Sequence, residues 1–209
     1  MTMLVGIHLD SYIILAADKR DVLLLDDNRH EVLSDEVEKI IDWGNGFITA
    51  SGYVPFIHEL KLFLQEEEII NTNQIIEYAN YLKDELMASP MPYTHKEFWI
   101  KTSNWMFTYT TENEQNETIP RLAILTGPED YKIAIVEKGS AQIWAKADDM
   151  EELKKDFLSN ITPLKFNDFN KHNLEENFSY HKSLLQKLFI KVSESDPTFS
   201  PDFSCVVYA

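Results

Sequence analysis

Residues 1–20 read MTMLVGIHLDSYIILAADKR. Two β-rich runs, residues 3 to 9 and 12 to 18, flank Asp10-Ser11, whose turn chemistry suits a tight reversal, so the stretch predicts a β-hairpin. The chain then begins in a strand. A threonine stands directly behind the initiator methionine, and the hairpin closes on Asp18-Lys19-Arg20.

Beyond the hairpin, a polar stretch from Asp26 to Asp35 leads into VEKIIDW. Gly44-Asn45-Gly46 then marks a turn before FITASG, which predicts a second hairpin. From Pro55 to about Glu68 the apolar residues Phe56, Ile57, Leu60, Leu62, Phe63 and Leu64 recur at helical intervals, and Pro55 suits a first helical turn. Asn71-Thr72-Asn73 offers an N-cap for a second helix, with an apolar stripe through Ile75, Ile76, Ala79, Leu82 and Leu86 that ends before Pro90. The segment from Met91 to Glu117 has aromatic weight without a clean period, and strand is expected for its middle. RLAILTG and YKIAIVEKG, separated by Gly127-Pro128-Glu129-Asp130, predict a third hairpin, and AQIWAKA a further strand. Asp148-Asp149 is expected to cap a short helix to about Ser159, followed by an Asn-rich connection, an amphipathic helix over roughly 173 to 191, and a last strand in FSCVVYA. Strand blocks at both ends with paired helices between and after them argue for two stacked antiparallel sheets covered by helices.

Composition narrows the function classes. The chain has 209 residues, 44% hydrophobic and 12% aromatic, which excludes a disordered chain and suits one domain over residues 1–209. No apolar run approaches the roughly 18 residues needed to cross a bilayer. The start lacks the charged and long apolar regions of an export signal, so a soluble cytoplasmic protein is expected. Acidic residues outnumber basic ones 35 to 19, a formal net charge of −16, which repels nucleic acid and anionic membranes and favours solubility. Cys205 is the only cysteine, so an intramolecular disulfide and a thiolate-rich metal site are ruled out. The six histidines are scattered without ligand spacing, and no metal or organic cofactor is expected.

TMLVGI, an apolar strand ending AADKR, then VEKI, then FITASG before a helix, together resemble the N-terminal half of proteasome β subunits and their bacterial self-compartmentalising relatives, which are N-terminal nucleophile hydrolases. The resemblance is good over about residues 2 to 64, fair to the KIAIVEKG hairpin and weak from there to the last strand. It implies an α+β, four-layer αββα sandwich of two antiparallel sheets flanked by helices. It also implies a threonine-type peptidase acting on peptide or protein substrates inside a homo-oligomer with an interior chamber. An unfoldase partner is compatible with it, although no motif points to one.

By the same resemblance Thr2 corresponds to the nucleophile, Asp18 to its acidic partner, Lys39 to the buried lysine that tunes the site, and Gly52 to the glycine whose backbone N–H stabilises the oxyanion. Asp196 and Ser200, just before the final strand, correspond to the residues that support the nucleophile. The serine-glycine turn that supplies a further serine has no clear counterpart, Gly139-Ser140 being a poor substitute.

The chemistry of such a site can be argued without the resemblance. A threonine hydroxyl is a weak nucleophile unless a base takes its proton, and a free α-amine, with a pKa of about 7.7 to 8.0, is well matched to that task at neutral pH. Thr2 would carry its own base once Met1 is removed, which its small side chain is expected to permit. A nearby ammonium would favour the neutral amine and the developing alkoxide. The bland alternatives are a strand-end ion pair between Asp18 and Lys39, typically worth only about 0 to 1 kcal/mol at a surface, and a strand-ending glycine at Gly52. The competing functional expectation is a catalytically silent subunit of the same fold, especially if Met1 is retained.

Overall fold

The computed structural model describes residues 2–9, 11–24, 29–69, 71–146, 149–161 and 171–209. Met1, the turn residue Asp10, the capping candidate Asp148 and most of the Asn-rich connection lie outside them. In chain order the elements are β1 (Leu4–His8), β2 (Ile13–Asp18), β3 (Asp21–Leu24), β4 (His30–Ser34), β5 (Ile41–Asp42), β6 (Phe47–Ser51), α1 (Val54–Glu66), α2 (Thr72–Ala88), α3 (Tyr93–Thr102), β7 (Asn104–Glu112), β8 (Thr118–Thr126), β9 (Ile133–Ile135), β10 (Ser140–Trp144), α4 (Met150–Asn160), α5 (Lys171–Ser195) and β11 (Phe203–Tyr208). They gather into two compact units, Met1–Ile40 with Glu137–Ala209, and Ile41–Val136.

The first unit is built on the opening hairpin. β1 and β2 pair antiparallel, with Leu4 opposite Ala17 and His8 opposite Ile13. They are the central strands of a four-stranded antiparallel sheet in the order β10-β1-β2-β11. Every residue of both strands is buried, which explains why they read as unbroken apolar runs and not as alternation. Met3, Val5, Ile7, Ile14 and Ala16 share a core with Phe157 of α4 and with Leu185, Leu188, Phe189 and Val192 of α5. The α5 spacing is that of one helical face. The polar stretch after Asp26 carries β4, which pairs with β3 as a separate two-stranded ribbon. α4 begins after Asp149 as expected, but the Asp149 side chain makes no capping bond. Glu151 and Glu152 in the first turn instead favour the positive end of the helix.

The second unit holds a five-stranded antiparallel sheet, β5-β6-β7-β8-β9. Its first hairpin sets Ile41 opposite Ile48 around Gly44-Asn45-Gly46, and β8 pairs with β9 across Gly127–Glu129. Phe56, Leu60 and Leu64 of α1 and Ile75 and Ala79 of α2 pack with Trp105, Phe107 and Leu125 of the sheet. Pro55 sits in the first turn of α1. Asn71 caps α2 by accepting from the Asn73 N–H while the Gln74 side chain accepts from the Asn71 N–H, a reciprocal capping box.

The segment from Met91 to Glu117 carries the expected strand in its middle as β7, but residues 93–102 ahead of it form a helix, α3, that was not expected. No α3 residue is fully buried, so no apolar period betrays it in the sequence. Tertiary contacts anchor it, through Trp99 stacked on Tyr53 at 4.9 Å and the Tyr131 hydroxyl donating to the Ile100 carbonyl at 2.8 Å. No helix among the described residues is long and apolar enough to cross a membrane.

Candidate active site

The register of the opening hairpin places the start of the chain beside the end of β2. Asp18 donates its N–H to the Met3 carbonyl at 3.1 Å, and the Met3 N–H returns a bond to Asp18 Oδ1 at 2.8 Å. The strand pairing therefore brings Asp18 next to Thr2, and the Met3 N–H fixes its carboxylate there. Asp18 is fully buried, and its oxygens accept four donors: Met3 N–H and the Lys39 ammonium on Oδ1, Arg20 N–H at 3.1 Å and Ser200 N–H at 3.5 Å on Oδ2.

Lys39 arrives from residues 35–40, which form no helix or strand. It is only 8% exposed, and Nζ donates to Thr2 Oγ1 at 3.3 Å, Asp18 Oδ1 at 3.1 Å and the Arg20 carbonyl at 2.5 Å. All three of these described partners are acceptors, as an ammonium that can only donate requires. Burial pulls the lysine below its ordinary range and pushes Asp18 above its own, while their mutual attraction opposes both shifts. The low-dielectric setting that weakens each charge singly strengthens the contact between them.

The other expected residues divide. Ser200 is buried and reaches the site through its backbone, with the N–H on Asp18 and the hydroxyl accepting from the Asp202 N–H at 3.1 Å. Asp196 turns inward on its own loop, where Oδ1 accepts from the Thr198 N–H and hydroxyl at 2.9 and 2.7 Å. Its observed bonds shape the loop that carries Ser200. Gly52 belongs to the second unit and ends β6 at φ +130°. A Cβ there would meet Ser103 Cα at 2.4 Å, so backbone conformation and packing alone already demand glycine. Ser140 stands opposite His8, whereas Leu4 faces Trp144. Ser140 thus lies about 13 Å along β1 beyond Leu4, at the end away from Thr2, and its hydroxyl closes a turn onto the Glu137 carbonyl. It does not supply the missing serine. Cys205 is half-buried, and desolvation pushes its thiol up, away from nucleophilic behaviour.

Sequence reasoning passed over Arg20 and Asp35. The guanidinium meets Asp35 in a two-point contact at 2.6 and 3.0 Å and also donates to the Pro197 and Phe199 carbonyls. The signal was present as a basic Lys19-Arg20 pair followed by acidic Asp35, Glu36 and Glu38, but only folding shows which partners meet. Among the described residues no group of three or more His, Cys, Asp or Glu side chains is placed to hold a metal ion.

No protein-family model and no curated protein matches this sequence. Its structure, however, is similar across the whole chain to solved proteasome-like hydrolases. BPH from Thiobacillus denitrificans, solved in complex with epoxomicin, superposes with a TM-score of 0.60 at 11% identity, covering 100% of this chain and 98% of that one. The Anbu Gly-1 mutant from Hyphomicrobium sp. strain MC1 gives 0.59 at 13% identity over 100% and 82%. Eukaryotic HslV from Trypanosoma brucei gives 0.56 at 11% identity, with 98% of each chain covered. The chain therefore has the mixed α/β, antiparallel-sheet fold of the proteasome-like N-terminal nucleophile hydrolases.

Proposed function

We propose that this chain is a threonine-type N-terminal nucleophile hydrolase that cleaves amide bonds in peptides, acting in the cytoplasm as a homo-oligomer, with both compact units serving one hydrolase domain. The observation that carries the reading is Lys39 Nζ, 3.3 Å from Thr2 Oγ1 with Asp18 behind it. The same fold in BPH, solved with epoxomicin bound, adds support.

Removal of the residue ahead of Thr2 frees its α-amine. That amine takes the proton from Thr2 Oγ1 as the oxygen attacks a substrate carbonyl, and the Lys39 ammonium favours both the neutral amine and the developing charge on oxygen. Collapse of the tetrahedral species breaks the C–N bond, the departing amine takes the proton from the Thr2 ammonium, and an ester remains on Oγ1. Water then adds to the ester with the α-amine again as base, releasing a carboxylic acid and restoring the hydroxyl. Asp18 holds the lysine, and Ser200 holds Asp18 through its N–H. Asp196 supports the loop that presents Ser200.

The test combines intact mass with labelling by a peptide epoxyketone, whose adduct needs both the hydroxyl and the amine. Protein lacking Met1 is expected to gain the mass of one inhibitor, and Thr2→Ala to gain none. Labelling that survives Thr2→Ala would move the reactive group elsewhere. One observation favours a second reading, a catalytically silent subunit: Ser140 lies at the wrong end of β1 to stand beside the nucleophile. Retention of Met1 throughout the natively expressed protein would select that reading.

A further inference from the structure

We infer that Arg20, locked by Asp35, is a positioning residue for the Lys39 ammonium, holding in one arrangement the irregular segment that carries the lysine and the loop that reaches Asp18. The inference rests on the reading of Thr2 as the nucleophile.

The need for such a device follows from the secondary structure. Lys39 lies in residues 35–40, which have no helical or sheet ladder of their own. Their placement comes from cross-links to Lys19 and Arg20 at the end of β2. Asp35 takes the Arg20 fork at 2.6 and 3.0 Å, the Val37 N–H donates to the Lys19 carbonyl at 3.1 Å, Glu38 pairs with Lys19 at 2.6 Å, and Lys39 itself donates to the Arg20 carbonyl. Of these, the Arg20–Asp35 contact is the one with planar two-point geometry, which restrains direction as well as distance.

Arg20 also reaches a third segment. Its Nη1 donates to the Pro197 carbonyl at 2.7 Å and the Phe199 carbonyl at 3.2 Å, immediately before Ser200, whose N–H meets Asp18. One guanidinium thus joins the lysine's segment to the carboxylate's support, while its own residue supplies a backbone N–H to Asp18 and a carbonyl to Lys39. The Arg20 side chain is largely buried and Asp35 is 45% exposed. The pair's bare Coulomb stabilisation is therefore modest, and its value lies in geometry. Misplacing the ammonium relative to Thr2 Oγ1 by about 1 Å can cost on the order of a hundredfold in rate.

Among the described residues, the carboxylates Asp18, in contact, and Asp21 and Asp35, farther out, act on Lys39. Neighbouring Lys19 is engaged by Glu38, and Asp196 by Thr198. Neutralising Asp35 removes both the clamp and one charge that favours the ammonium. The alkaline limb of the acylation profile, where Lys39 loses its proton, then moves to lower pH.

The experiment measures epoxyketone acylation rates against pH, and in parallel the titration of the Lys39 side chain by NMR with isotope-labelled lysine. The proteins compared are the wild type, Asp35→Asn, Asp35→Glu, Arg20→Lys and the double variant Arg20→Lys/Asp35→Asn. Asp35→Asn is expected to acylate at least about tenfold more slowly with its alkaline limb displaced downward. Asp35→Glu, which keeps the charge and two oxygens, is expected to recover most of the rate. Arg20→Lys keeps the charge but loses the fork, so it is expected to be slow without that displacement. The double variant is expected to be no slower than the slower single one, because the pair acts as a unit. A folded Asp35→Asn with unchanged rate and unchanged Lys39 titration would overturn the inference. A Lys39 titration that shifts in Asp35→Asn while the wild type itself fails to acylate would uphold the positioning role and defeat the reading of Thr2. If Asp35→Asn does not fold, Arg20→Lys carries the decision, and wild-type acylation by it overturns the inference.

Discussion

At the scale of single residues, the Thr2, Asp18 and Lys39 cluster separates stability from chemistry. Lys39 and Asp18 are both buried, so truncating either leaves a charge without its partner. Lys39→Ala is expected to lower unfolding free energy by about 3 to 5 kcal/mol, read as a drop in midpoint in urea. Lys39→Met combined with Asp18→Asn removes both charges at similar volume and is expected to recover much of that loss while acylation at Thr2 stays absent. If the double variant were as unstable as Lys39→Ala alone, burial of an unpaired charge would not be the cause. These three positions were legible in the sequence because each sits in a motif that survives in order. Arg20 and Asp35 were not, because their bond joins residues 15 positions apart and the carbonyls that the guanidinium also reaches lie more than 170 positions further along the chain. The location of Ser140 was equally hidden, since strand register, not sequence distance, puts it at the far end of β1.

Among the elements, α5 carries a titratable group inside its packed face. His181 is buried, its Nδ1 bonds to the Asn177 carbonyl at 2.7 Å, and desolvation lowers its pKa below 6.5. The folded protein therefore binds this proton less readily than the unfolded chain. Stability rises with pH across the window from the lowered folded value up to 6.5, and below that window the penalty is complete. Acidification from about pH 7 to 5 is expected to lower the wild-type melting temperature relative to that of His181→Leu, measured side by side by calorimetry. Parallel curves for the two proteins would mean that the histidine stays solvated. α1, with an apolar face and Pro55 in its first turn, and α2, with an apolar face and a capping box, were readable at their expected places. α3 was not, because it buries no residue fully and is positioned by a stack on Tyr53 and a bond from Tyr131.

For the whole molecule, the formal charge of −16 is the dominant long-range term. Self-repulsion opposes the compact state, and raising ionic strength from about 0.01 to 0.15 M shortens the screening length from about 30 to 8 Å. The melting temperature is expected to rise by about 2 to 4 °C for each kcal/mol of repulsion relieved. A flat or falling curve in sodium chloride, with the Arg20–Asp35 and Lys19–Glu38 pairs as the main casualties, would assign the larger share to local ion pairs. The sequence by itself determined most of the runs that become strands and helices and their order, α3 and the β3-β4 ribbon excepted, because apolar period, caps and turn residues act over a few neighbours. It also determined that the chain opens on a hairpin ending in an aspartate. Only the tertiary structure decided which strands are neighbours, so that β10 and β11 flank the opening hairpin from the far end of the chain. Only it decided that a lysine from an irregular segment reaches the Thr2 hydroxyl. Sheet register and side-chain convergence are set by burial between segments distant in sequence, and no local pattern carries that information.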